Sequence, residues 1–197
     1  MYEGSVCKIV PAGQLLFVAS GLTYANNQQV ASIGAEVGRS SPTVQFAIEQ
    51  FRDKMRQFLP QAIAAQGRVE SSARKGLILE AAFIGLEDNL LSVSVEWYRT
   101  NGNVSKPRIK SDRRTYSSAV PGRYDFIFLG KRKAIDEYLG GRFPSVRSDN
   151  GAISLITRLI DLEIKESPET TAPPIDILAF DGSGWRWVQR KPGCPAS

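Results

Sequence analysis

Apolar positions recur along this chain at two spacings, and the switches between them predict its elements. Near the start, two runs rich in apolar and β-branched residues, 6–10 and 15–20, flank Pro11-Ala12-Gly13, which predicts a tight hairpin. The second run stops at Ser20-Gly21, and a helical segment is expected to open at Asn26-Asn27. Ser41-Pro42 predicts a further helix start, with serine as cap and proline in the first turn. From there Val44, Ala47, Ile48, Phe51, Met55, Phe58 and Leu59 return at helical spacing, with Glu49, Gln50, Arg52, Asp53 and Arg56 between them. That is one long amphipathic helix, bent or ended near Pro60, whose Phe/Met stripe reads as core.

Residues 67–76 are polar and basic and read as a connection. Runs 77–85 and 90–99 then flank Asp88-Asn89, a second hairpin. Leu91, Val93, Val95 and Trp97 alternate with Ser92, Ser94 and Glu96, as in a strand with one buried face. The first arm is more uniformly apolar, as expected of a strand covered on both sides. Residues 101–122 read as a long exposed basic loop, with Asn-Gly at its start and Pro-Gly at its end. A strand is expected at 124–129, a short helix at 131–139 closed by Gly140-Gly141, and a helix capped by Asp149 running to Glu166. Pro173-Pro174 breaks the pattern, runs 175–180 and 185–189 form a last hairpin, and 190–197 is a tail. Antiparallel strands with amphipathic helices in pairs suggest α+β layers in the order α, β, β, α, although the pattern leaves the pairing of sheets open.

At 197 residues, with 42% hydrophobic and 23% charged, the chain fits one globular domain, 1–197. No apolar run reaches the roughly 18 residues a membrane span requires, so no membrane partner is expected. Tyr2-Glu3-Gly4-Ser5 lacks the basic start and apolar middle of a signal peptide. Two cysteines, Cys7 and Cys194, indicate no disulfide framework and make a cytoplasmic location the default. The absence of histidine is the sharper constraint. It excludes Ser-His-Asp and Cys-His machinery and His-ligated zinc, and two cysteines cannot complete a Cys-only site. Any general base must therefore be Lys, a carboxylate, Tyr or an α-amino group, and no metal or organic cofactor is implied.

Lys8 is the only charge in the first run, and Gly21 stands where a strand hands over to a helix, a place where backbone N–H groups can approach a ligand. Cys7-Lys8-Ile9, a hairpin, then Ala19-Ser20-Gly21-Leu22-Thr23-Tyr24-Ala25-Asn26 resembles the second hairpin of proteasome β-type subunits and their bacterial relatives, which are N-terminal-nucleophile (Ntn) hydrolases. The later order of elements is similar as well. The resemblance implies a four-layer αββα sandwich with two antiparallel sheets between helix layers, and amide or peptide-bond hydrolysis by an N-terminal Thr, Ser or Cys. It implies that Lys8 lowers the pKa of that nucleophile and that the Gly21 N–H serves as oxyanion donor.

Several positions depart from the family pattern. The hairpin carrying the nucleophile would precede Lys8 and is expected to be missing, so the chain as given is expected to be inactive or truncated. Ser5 lies three residues from Lys8 and Cys7 beside it, so strand geometry points both away from the lysine. Where the family has Gly-Ser-Gly-Ser this chain has Leu129-Gly130-Lys131-Arg132, and where it has Asp-x-x-Ser-Gly-Gly this chain has Glu169 through Pro174, with Glu169 in place of the carboxylate and Ala172 without a hydroxyl. The resemblance therefore also suits a noncatalytic subunit of a homo-oligomeric ring; a peptide or amide is the substrate if the site is active. A different reading rests on charge. Residues 101–150 hold eleven basic against five acidic residues, an excess larger than the net +5 of the whole chain. Lys106, Arg108, Lys110, Arg113 and Arg114 are the candidate polyanion contacts, with Tyr116 or Tyr124 to stack on bases. No nucleic-acid reading motif accompanies them, a solvated loop is the ordinary account, and nucleic acid is not an expected partner.

Overall fold

The computed structural model describes residues 7–22, 24–25, 28–66, 76–88, 90–103, 106–118, 127–129, 132–142, 144–168, 176–181, 184–192 and 194. They form an α+β chain that divides into two compact units, Met1–Ser118 with Pro195–Ser197, and Ala119–Cys194, where length alone predicts one domain.

The first unit opens with β1 (Ile9–Ala12) and β2 (Leu15–Gly21). Ala12 pairs with Leu15, so the turn is Gly13-Gln14 and Pro11 lies inside β1. Proline is tolerated there because β1 is an edge strand and its missing donor leaves no ladder bond unmade. A two-residue ladder, β3 (Tyr24–Ala25) with β4 (Gln28–Gln29), leads into α1 (Val30–Ser40). Then come α2 (Val44–Gln66), β5 (Leu77–Glu87), β6 (Leu90–Thr100) and β7 (Ile109–Ser118). The five long strands form one antiparallel sheet in the order β1-β2-β5-β6-β7.

Both helices pack on one face of that sheet. The predicted α2 stripe is buried throughout, and Ala62 and Ile63 extend it beyond Pro60, which lies within the helix. Phe17 of β2, Phe51 of α2 and Phe83 of β5 form the centre, with ring centroids 5.0 Å apart for Phe17 to each of the others and 5.8 Å between Phe51 and Phe83. Such tilted and edge-on contacts add to the area term. α1 approaches more closely still. A Cβ on Gly34 would fall 2.4 Å from the Phe17 ring, and one on Gly38 would fall 2.4 Å from the Ala12 Cβ. Two glycines one turn apart thus let the helix backbone lie on the β1–β2 hairpin. The reverse face of the sheet carries Leu16, Val18, Ala82, Ile84, Val93 and Val95 by strand parity, so β5 is apolar on both sides.

Three expectations change here. Ser41 ends α1 rather than starting α2: its hydroxyl donates to the Val37 carbonyl at 2.7 Å. The α2 start is held by Thr43 Oγ1, which accepts from Phe46 N–H at 3.1 Å, and by Glu87 Oε1, which accepts from Val44 N–H at 2.6 Å. Of the exposed basic loop predicted over 101–122, residues 109–118 are instead strand β7, while 104–105 and 119–122 lie outside the described residues. Asn101 Oδ1 accepts from the N–H groups of Asn103 and Arg108, at 3.3 and 3.1 Å, and Asn103 Oδ1 accepts from Lys106 N–H at 2.9 Å. β7 carries no apolar alternation because it is an edge strand whose helix-side positions are Ser111, Arg113, Thr115 and Ser117. Finally, Cys7 and Cys194 are both disulfide-bonded, contrary to the reading of their number, and the cytoplasmic default that rested on it loses that support.

The second unit contains α3 (Lys133–Leu139), α4 (Asp149–Glu166) and a hairpin of β8 (Ile177–Asp181) with β9 (Gly184–Gln189). The α4 cap is Ser148, whose Oγ accepts from Gly151 N–H, and Asp149 is the first helical residue. Buried Glu163 of α4 accepts from Ile135 N–H at 3.3 Å and so caps an open donor of α3. Residues 127–129, the described part of the predicted 124–129 strand, are not strand. No helix among the described residues is long and apolar enough to cross a membrane.

Candidate active site

Lys8 and Gly21 stand at the same end of the first hairpin. The Lys8 carbonyl accepts from Ala19 N–H at 3.3 Å, which sets Lys8 level with Ala19 just before β1 begins. Gly21 follows two residues later on β2. With a rise of about 3.4 Å per residue and about 4.8 Å between strands, the two Cα atoms lie roughly 8 Å apart. Backbone donors alternate along a strand, so the Gly21 N–H faces the same edge as that of Ala19. Leu22 N–H faces the other way, donating to the Ile78 carbonyl at 2.7 Å. The Lys8 side chain is exposed.

Gly21 is required here by sterics whatever its amide does. Its φ of +103° is one that other residues rarely adopt, and an added Cβ would fall 2.5 Å from the Ile78 carbonyl oxygen. Backbone on the neighbouring strand cannot yield as a flexible side chain can. The glycine therefore belongs to the β2–β5 junction as well as to the candidate site.

A carboxylate that the sequence reading passed over sits beside this junction. Glu80 of β5 lies directly opposite Ser20 and is buried, one residue from the Leu79 that pairs with Gly21. Its signal in the sequence is that it is the only charge in the run 77–85. Strand parity sets Glu80 on Ser20's side of the sheet, opposite the side that Ala19 shares with Phe17. Glu169, the carboxylate that the resemblance implies, lies outside the described residues.

The other missed group is under α2. Glu96 of β6 is fully buried, and Arg52 Nε donates to its Oε1 at 2.5 Å. This hydrogen bond raises the Arg52 pKa further above its ordinary value, with burial opposing it. Glu96 Oε2 and the Tyr98 hydroxyl are buried and have no hydrogen-bond partner among the described residues. Burial first, then the neighbouring Glu96 charge, push the Tyr98 phenol well above its ordinary range. The cluster ties α2 to the sheet and shares its rows with the candidate site: Tyr98 pairs with Leu79, the partner of Gly21, and Glu96 with Ala81, the partner of Ala19, so Tyr98 stands two strands from Gly21.

The five basic candidates separate. Arg113 donates to Glu49 of α2 at 3.2 Å, while Lys106 and Arg108 lie in the β6–β7 turn and Lys110 and Arg114 project from the opposite side of β7. Among the described residues no group of three or more His, Cys, Asp or Glu could hold a metal ion. No protein-family model matches the sequence, and neither a curated protein nor a solved structure matches it.

Proposed function

We propose that the chain is a proteasome-β-like Ntn-hydrolase scaffold whose site is marked by Lys8 and Gly21, acting on a peptide or amide bond. The observation that carries the reading is the nearness of these two residues at one end of the β1–β2 hairpin, ahead of the β3–β4 ladder and the helices that cover the sheet. The neighbouring strands β2 and β5 carry apolar residues on both faces, which supports the finer αββα arrangement, because their reverse face requires cover of its own. In this reading the first residue of the mature chain attacks the amide carbonyl through its side-chain oxygen or sulfur. Its α-amino group takes the proton and passes it to the leaving amine, and water then hydrolyses the acyl intermediate. The Lys8 charge favours the ionised nucleophile, and the Gly21 N–H stabilises the oxyanion, a kind of donor worth roughly 3 kcal/mol.

The test uses two proteins, one starting at Met1 and one starting at the next in-frame codon upstream, each with Lys8 and with Lys8→Met. Release of a fluorogenic amine from short peptide amides is measured. The reading expects turnover from the longer form and a loss of at least about a hundredfold on Lys8→Met, with unchanged circular dichroism. Turnover that is indifferent to Lys8, or an experimental structure without a second sheet against the reverse face, overturns it.

A further inference from the structure

The positive charge of the first unit is distributed unevenly about β7. On the helix side Arg113 is neutralised by Glu49, and on the other side Arg99 of β6 meets Asp112 at 2.7 Å. Among the described residues Lys106, Arg108, Lys110 and Arg114 have no acidic partner. All four are exposed; Lys110 and Arg114 share one side of the edge strand, and Lys106 and Arg108 lie just ahead of it in the chain. Residues two apart on that side repeat at about 7 Å, so Lys110 and Arg114 are separated by roughly 13 Å. Tyr116, 40% exposed, comes next on the same side, and half-buried Trp97 lies across from Asp112 on β6.

We propose that this edge binds single-stranded nucleic acid, its phosphates following Lys106, Arg108, Lys110 and Arg114 and a base stacking on Tyr116. Four exposed cations without an acidic partner among the described residues attract an extended polyanion through counterion release, and an exposed aromatic beyond Arg114 supplies a stacking surface without sequence preference. The Asn101 and Asn103 side chains hold the backbone N–H groups of Arg108 and Lys106, so the chain that carries these two cations is fixed before binding. An acidic peptide fits less well. Strand addition draws its specificity from side-chain pockets, and β7 offers only charged and hydroxyl side chains from Lys110 to Thr115.

Fluorescence anisotropy with a labelled oligothymidylate of about 16 nucleotides reads the outcome directly. At low salt the full chain is expected to bind. Lys110→Ala with Arg114→Ala should weaken binding more than tenfold and reduce the slope of log K against log salt by about 1.4, the value for two lost phosphate contacts. Lys54→Ala with Arg56→Ala, the same charge change on α2, should alter affinity less than about twofold if contacts rather than net charge bind the strand. Tyr116→Ala should cost about fivefold or more. Equal losses from the two double variants, indifference to Tyr116, or better competition by polyglutamate or inorganic polyphosphate than by unlabelled oligonucleotide each overturns the proposal. Unchanged circular dichroism in the variants, whose side chains are exposed, separates lost binding from lost fold.

Discussion

The two ends of the helix–sheet interface in the first unit are built on opposite principles. Over β1 and β2 the contact is dry: Gly34 and Gly38 of α1 rest against the Phe17 ring and the Ala12 Cβ, with no helix side chain between at these two positions. Over β6 and β7 it is polar: Arg52 reaches Glu96, Arg113 reaches Glu49, and the Ser94 and Thr115 hydroxyls lie 3.1 Å apart. At the first end close approach leaves no room for a helix side chain at these two glycines. At the second, longer side chains span the gap and must bring their own partners, because an unmatched charge in a buried interface costs more than a matched pair gains.

This contrast can be broken at either end. The largest effect is expected from Arg52→Ala, which leaves the Glu96 carboxylate buried without its cation and should lower stability by about 3–5 kcal/mol in urea unfolding. Replacing Arg52 by Met and Glu96 by Leu together should regain most of that loss, since both charges leave at once; a double variant as unstable as Arg52→Ala would show that packing rather than charge dominates there. At the dry end Gly34→Ala should destabilise by about 1–3 kcal/mol despite the better helix propensity of alanine, because its Cβ meets the Phe17 ring. A neutral or stabilising result would mean that α1 can slide away from β2.

Smaller effects sharpen the polar end. Tyr98 has its phenol pushed up by burial, so the folded state keeps its proton at pH values where the unfolded state loses it. The contribution is fully present below the ordinary tyrosine range, near pH 10, and is lost as the pH rises above it. Tyr98→Phe should therefore flatten the alkaline fall in stability while costing little at neutral pH, as measured by thermal melts from about pH 8 to 11. Smallest of all, Arg113→Ala should change stability by less than about 1 kcal/mol, because that ion pair is open to water. A larger loss would place the β7 edge in the cooperative core.

The sequence made the centre of this interface legible and its rim much less so. The α2 stripe and the hairpin around Asp88-Asn89 follow from spacing alone, and Glu87 pairs with Leu90 across that two-residue turn. β7 escaped because edge strands carry charge and hydroxyl groups where buried strands carry apolar ones. The α2 start was misplaced because its partners are a threonine two residues further on and a glutamate from β5, 43 positions away in sequence. The candidate site was legible as a pair of unusual residues, Lys8 within an apolar run and Gly21 at a strand end. Their separation, the steric demand on Gly21 and the buried Glu80 alongside depend on the register between strands.

Periodicity, composition and turn chemistry by themselves determined the order of most elements, the apolar stripe of α2 and the exclusion of histidine chemistry, because each of these is a property of neighbouring residues or of counts. Only the tertiary structure decided that an apparently loose basic segment contains an edge strand, that α1 lies against β1 and β2 through two glycines, and that Glu96 is paired while Lys110 and Arg114 have no acidic partner among the described residues. These are matters of distance between residues far apart in the chain, and local spacing carries no information about such distances until the strands are in register.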